Sequence, residues 1–246
     1  MRGGRLLYRG SMSDDDLRPL TRDASLVRDI VTWDVRTWST AVVYWDTVLG
    51  TPERPLRCLE IGAGPGGPSL WLALRGNSVL CTNWQATREQ AAPLHDRYGM
   101  TGIEYQDVDA TQIPFENEFD LVVFKSVIGG VGTKADQDRA MQGIRRALKP
   151  GGTLLFAENL RGTLLHRLVR AIAYRVRGTS WRYVTVKELA PHLAEYAAHD
   201  VRVTGFLSMF GLRERLRNAL AGADDRVFNR AVPRDWHYVS YGTATK

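Results

Sequence analysis

The sequence predicts an α/β protein built on a doubly wound, seven-stranded, mostly parallel sheet. Three observations carry that prediction. An apolar run at 56–61 ends in an acidic residue and a glycine-dense turn, Gly62-Ala63-Gly64-Pro65-Gly66-Gly67, and passes at once into a helical stretch at 68–75. Strand-like and helix-like segments then alternate as far as residue 157, the pattern of parallel βαβ units. Two further strand-like segments, 201–207 and 236–243, follow that parallel set and suit an antiparallel hairpin closing the sheet edge.

The first strand and its turn are the most informative stretch. Strand, tight glycine turn and helix together present backbone N–H groups to a ligand at a helix N-terminus. Glycine is needed where a Cβ would block the turn or a ligand's approach. The later strands are expected at 78–82, 103–108, 120–124 and 153–157, with helices at 87–98 and 136–148. The helix at 136–148 collects Ala140, Met141, Ile144, Ala147 and Leu148 on one face. Lys149-Pro150-Gly151-Gly152 reads as the turn after it.

The flanks divide the chain into a flexible N-terminus at 1–23, a helical lid at 24–50, and a core at 51–246 with a basic helical cap at about 161–198. Asp14-Asp15-Asp16 reads as a solvated run. Over 24–49, Leu26, Ile30, Trp33, Trp38, Val42, Trp45 and Leu49 recur near helical spacing and predict one long helix, which packs on the sheet or covers a ligand. In the cap, Leu164, Leu165, Leu168, Val169, Ile172 and Val176 form an apolar stripe among Arg167, Arg170 and Arg177. Helices are expected again at 186–197 and 212–220.

Composition narrows the function classes. The 246 residues, 44% hydrophobic, suit one α/β domain with additions. No run approaches the ~18 apolar residues of a membrane span, and the basic first residues lack an apolar signal segment, so a cytoplasmic protein is expected. Cys58 and Cys81 fall in predicted strands and read as core thiols in a reducing compartment; no Cys/His cluster has metal-ligand spacing. The net charge of +6 is the sum of −2 over residues 1–160 and +8 over 161–246. Residues 161–187 hold seven basic residues and no acidic one.

Gly62, Gly64 and Gly67 fit G-x-G-x-x-G, by itself a weak dinucleotide signal. In context, Glu60-Ile61-Gly62-Ala63-Gly64-Pro65-Gly66 resembles motif I of the class I S-adenosylmethionine-dependent methyltransferases, of the small-molecule, methyltransferase-11-like type. Asp109-Ala110-Thr111-Gln112-Ile113-Pro114-Phe115, Phe119-Asp120-Leu121-Val122-Val123 and Leu148-Lys149-Pro150-Gly151-Gly152 resemble that family's later segments, in order and spacing, over about residues 55–160. A nicotinamide-dependent oxidoreductase, the other reading of the glycines, does not account for these segments.

The resemblance implies a Rossmann-like fold, S-adenosyl-L-methionine as cofactor and S-adenosyl-L-homocysteine as product. It implies that Gly62, Ala63, Gly64 and Gly66 admit the cofactor, with Glu60 toward its ammonium, Asp109 and Ala110 at the adenine, Lys125 on the floor near the methyl group, and Trp38 in a covering segment. The family's acidic ribose partner at the end of the second strand is replaced by Asn83, which lacks charge assistance; Trp84 could compensate by stacking.

The acceptor is less legible. The expected activity is methyl transfer to oxygen or nitrogen of a small metabolite in natural-product biosynthesis. The basic cap suits an anionic or phosphorylated acceptor, with Tyr44, Arg167, Arg170 and Tyr174 as candidate contacts, or peripheral contact with a membrane. His166 and Glu158 are the candidate catalytic bases; His95, His192, His199 and His237 read as surface or packing residues. No nucleic-acid module is recognisable, so DNA is not an expected partner and RNA is disfavoured. The alternatives are a cofactor-binding protein that no longer methylates, and a methyltransferase for a lipid-linked or RNA acceptor.

Overall fold

The computed structural model describes residues 23–177 and 181–246; of residues 173–177 it describes the backbone. The expected N-terminal segment and its Asp14–16 run lie outside these residues. The elements are α1 (Ala24–Val31), α2 (Val35–Leu49), β1 (Arg57–Ile61), α3 (Gly67–Leu74), β2 (Ser78–Asn83), α4 (Thr87–Arg97), β3 (Ile103–Asp107), β4 (Phe119–Lys125), α5 (Lys134–Ala147), β5 (Leu148–Asn159), α6 (Leu164–Arg177), α7 (Val186–Leu193), β6 (Ala198–Thr204), α8 (Glu214–Ala223) and β7 (Val239–Thr245).

They form the expected seven-stranded sheet, in the order β3-β2-β1-β4-β5-β7-β6. β1, β2, β3, β4 and β5 pair in parallel, and β7 is antiparallel to both β5 and β6. β7 therefore lies inside the sheet and β6 at its edge. The strand order reverses between β1 and β4, so the loops leaving their C-terminal ends part and open a crevice.

Alternation along each strand feeds two cores. Cys58 of β1 packs with α1, α2 and α3 on one face, while Leu59 and Ile61 pack with α5 and α7 on the other. Cys58 and Cys81 are buried free thiols, and burial raises both pKa values. Trp38, Trp45 and Trp71 are fully buried, and Trp45 lies 5.8 Å from Trp71, centroid to centroid. Truncating one such ring to alanine costs roughly 3–5 kcal/mol. The tryptophan-rich segment is thus a packing layer against the sheet, with Trp33 its more exposed ring.

Local departures have physical causes. The predicted helix at 24–49 is two helices, because Thr32 (φ 75°) and Asp34 (φ 47°) break the αR path. β5 starts at Leu148, not after the Lys-Pro-Gly-Gly segment, because Leu148 already pairs with Phe119. β6 ends at Thr204, where Gly205 turns with φ 77°, a conformation the apolar pattern of 201–207 does not disclose. β7 runs three residues later than expected at its start, since Arg234–Trp236 form a short 3₁₀ turn.

Candidate active site

The crevice beside β1 and β4 is a cleft of about 500 Å³, lined by Gly62, Asn83, Trp84, Val108, Asp109, Ala110, Thr111, Ser126, Val127 and neighbours. β1, β2, β3 and β4 each contribute at or just past their C-terminal ends. Gly62 has φ 66°, and a Cβ there would stand 2.5 Å from Val127 Cγ2, so both backbone and space demand glycine. Gly64 has φ 52°, and its Cβ would meet nothing within 4 Å: it would project into open space at the turn. Gly66 is held from behind, because His95 Nε2 lies 2.8 Å from its carbonyl and 2.5 Å from where its Cβ would be.

His95, expected from the sequence as a surface or packing residue, is buried and positions the glycine turn through the Gly66 carbonyl. It is fully buried, with Nδ1 2.8 Å from the Tyr105 hydroxyl. Since the Gly66 carbonyl can only accept, Nε2 carries the proton and Nδ1 accepts from Tyr105. Burial lowers its pKa, which favours this neutral form. Its spacing from Gly66, 29 residues along the chain, is set by the fold.

Glu60 shares a face of β1 with Cys58 and lies under the N-terminal turn of α3, where its Oε2 accepts the Ser69 N–H at 2.7 Å. Burial raises its pKa to about 7; the Ser69 hydrogen bonds and Lys125 pull the other way. Lys125, partly buried at the end of β4, sits 5.4 Å from the centroid of the Trp38 ring. Its pKa is lowered by burial and pulled back up by Glu60 and Glu158.

On the other wall, Asn83 donates its amide N–H to Gln90 Oε1 at 3.1 Å, which leaves its carbonyl oxygen as the group available to accept. Trp84 beside it is 67% exposed, an aromatic face offered to the cleft. Asp109 caps the short 3₁₀ turn Ala110–Gln112 by accepting the Thr111 N–H at 2.8 Å. Ser126 takes a left-handed conformation (φ 59°) held by its N–H to the Ala157 carbonyl (2.7 Å) and by Asn159 Nδ2 donating to its Oγ (2.6 Å).

The remaining expected site residues serve other purposes. Glu158 is fully buried and accepts the N–H groups of Val127 (2.8 Å), Ile128 (2.7 Å) and Asn159 (2.8 Å). Burial raises its pKa to about 7 against those hydrogen bonds. It fixes the cleft-lining loop after β4, and both oxygens are already engaged. His166 is also fully buried: the Thr163 N–H donates to its Nδ1 (3.0 Å), so Nε2 donates to the Phe206 carbonyl (2.8 Å). No lone pair is left on it for catalysis.

The proposed acceptor contacts are displaced in the same way. Tyr44 donates to Asp200 Oδ2 at 2.7 Å, on the β6–β7 side of α2. Arg170 turns inward, donates to the Leu160 carbonyl at 2.6 Å and lies 3.8 Å over the Tyr183 ring. Arg167 faces solvent. The side chains of Tyr174 and Arg177 lie outside the described residues. A run of basic residues in sequence shows charge density but not the surroundings of each side chain: Arg170 is buried on backbone carbonyls, while Arg167 is exposed.

Comparison with known proteins agrees with this architecture. A family model described as a methyltransferase domain matches residues 59–156. The chain is similar to the methyltransferase GfsG of Streptomyces halstedii, 33% identical over 116 residues, which cover 44% of this chain and 40% of that protein. It is similar to the ubiquinone/menaquinone biosynthesis C-methyltransferase UbiE of Acidiphilium cryptum, 27% identical over 161 residues, covering 62% and 60%. The chain thus matches about half the length of these curated relatives. Among solved structures, phosphoethanolamine N-methyltransferase 2 of Haemonchus contortus, in complex with S-adenosyl-L-methionine, superposes with TM-score 0.60 at 19% identity, over 96% of this chain and 60% of that one. An S-adenosylmethionine-dependent methyltransferase of Mesorhizobium loti gives 0.57 at 19%, over 82% and 97%. At such identities these structures speak for the fold. Residues 59–156 thus match the methyltransferase-domain family, and they do so on the class I methyltransferase fold.

Proposed function

We propose that this chain transfers the methyl group of S-adenosylmethionine to a small-molecule acceptor. The carrying observation is that Gly62, at the head of the glycine turn, lines the same cleft as Asn83, Trp84 and Asp109. The residues present fit the cofactor: the open space at Gly64 admits close backbone approach, Glu60 offers a carboxylate at the turn, and the Asn83 carbonyl can accept from a ribose hydroxyl. Trp84 is placed to stack on a flat ring, and Asp109 with Ala110 forms the edge for an adenine. When bound, the cofactor supplies a methyl group on a positively charged sulfur. The chain's own part is orientation and exclusion of water.

Because His166 and Glu158 are both engaged, the acceptor is read as one whose nucleophile carries a free lone pair or reaches the cleft already activated. Oxygen or nitrogen of a natural-product intermediate remains the preferred acceptor; the UbiE relatives, named for C-methyl transfer, bring in carbon. A phosphorylated acceptor loses its main support, since Arg167 and Arg170 do not converge on the cleft. Asn83, in place of a charged ribose partner, favours one second reading: a cofactor-binding protein without turnover. Incubation with methyl-labelled S-adenosylmethionine and a panel of phenols, amines and quinols separates the two. Label in an acceptor supports transfer, binding without transfer supports the second reading, and absence of both overturns each.

A further inference from the structure

Helix α6 is amphipathic in the wrong sense for a water-facing surface. Its inward side carries His166 and Arg170, both buried and both hydrogen-bonded to backbone carbonyls. Its outward side carries Leu164, Leu165, Leu168 and Ile172, between 57% and 71% exposed. At about 100° per residue these four fall within an arc of roughly 100°. The apolar surface continues on the neighbouring turn: Phe210 stacks on His166 at 4.8 Å, and Leu212, two residues on, is 90% exposed. Around this patch Arg167, Arg213 and Arg215 are exposed and make no ion pair among the described residues.

We infer that α6 and the Leu212 turn dock the protein on the surface of an anionic phospholipid bilayer. An apolar arc bordered by arginines is the pattern of a helix lying in the interface plane, with leucines among the acyl chains and guanidinium groups at the lipid phosphates. Residues 161–187 offer no acidic side chain to oppose this, and residues 161–246 carry +8. No helix among the described residues is long and apolar enough to cross a membrane, and the inferred contact is a peripheral one. The docking element is tied to the cleft: after the helix, Trp181 packs on Gly129 and Gly130, and the Arg182 N–H donates to the Gly129 carbonyl at 2.8 Å. Gly130 lines the cleft. Docking therefore holds the cleft mouth near the bilayer, within reach of an acceptor dissolved in it.

The test is co-sedimentation of the full chain with vesicles of phosphatidylglycerol and phosphatidylcholine, beside vesicles of phosphatidylcholine alone. Expected are binding to the anionic vesicles, a drop of about fivefold for each of Arg167→Gln and Arg213→Gln, and a loss of tenfold or more, roughly, for Leu164→Ser/Leu165→Ser/Leu168→Ser/Ile172→Ser. The quadruple variant should melt like the wild type, because its changes face solvent; if it does not fold, the arginine variants decide. Wild-type protein left in the supernatant with both vesicles overturns the inference. So does undiminished binding by every variant, or a wild-type dimer that ignores vesicles and that the quadruple variant makes monomeric.

Discussion

Glu60 shows how a single residue carries both a cost and a use. Its pKa is raised by burial from 4.5 to about 7, so the native state keeps a proton that the unfolded chain releases. Its contribution to stability is therefore full below about pH 4.5 and is lost as pH rises through about 7. Glu60→Gln, which keeps an oxygen for the Ser69 N–H, fixes the neutral form. In thermal melts of the ligand-free protein, the variant should match the wild type near pH 4.5 and exceed it increasingly up to pH 8. The same change should weaken S-adenosylhomocysteine binding, by roughly tenfold, through loss of a charge-assisted contact. A constant melting difference across that pH range contradicts the burial account. Glu60 and the glycines were legible because turn chemistry and the first strand are local in sequence. His95 was not, since its partner Gly66 is brought to it by the packing of α4 on α3.

At the scale of elements, the cap is organised by buried polar groups and not by its charges. Asp224 accepts the N–H groups of Phe206 (3.0 Å), Leu207 (2.9 Å) and Ser208 (3.0 Å), and the Ser208 hydroxyl at 2.9 Å. That turn supplies the Phe206 carbonyl that holds His166, so Asp224 anchors α6 through one intermediary. Asp224→Ala strands three backbone donors, at about 3 kcal/mol or more, and should lower the melting temperature by roughly 6–12 °C. Product binding in the cleft should stay within about twofold, since neither Asp224 nor its partners line it. An unchanged melting temperature contradicts this role. Sequence periodicity found the helices of the cap and named Arg167 and Arg170 as candidate acceptor contacts, but it does not tell which face is buried: His166 and Arg170 satisfy carbonyls inside and the leucines stay out. Tertiary hydrogen bonding decided that, and hydropathy alone does not record it.

At the scale of the whole molecule, five parallel strands and the reversal between β1 and β4 create the crevice, and the antiparallel β7 seals the far side of β5. The parallel core was legible because strands and helices alternate with short turns. The interior position of β7 was not, because nothing local says which neighbour a late strand joins. The central claim is that the glycine turn admits S-adenosylmethionine. Titration calorimetry with S-adenosylhomocysteine, on the wild type and on Gly64→Val, tests it most directly. Gly64 has φ 52° and open space where a Cβ would stand, so valine costs about 1–2 kcal/mol of backbone strain, and on the proposed reading its methyl groups stand in the path of the ligand. The account predicts one site per wild-type chain and no measurable binding to the folded variant. A wild-type protein that binds nothing, or a Gly64→Val variant that binds as tightly, contradicts it.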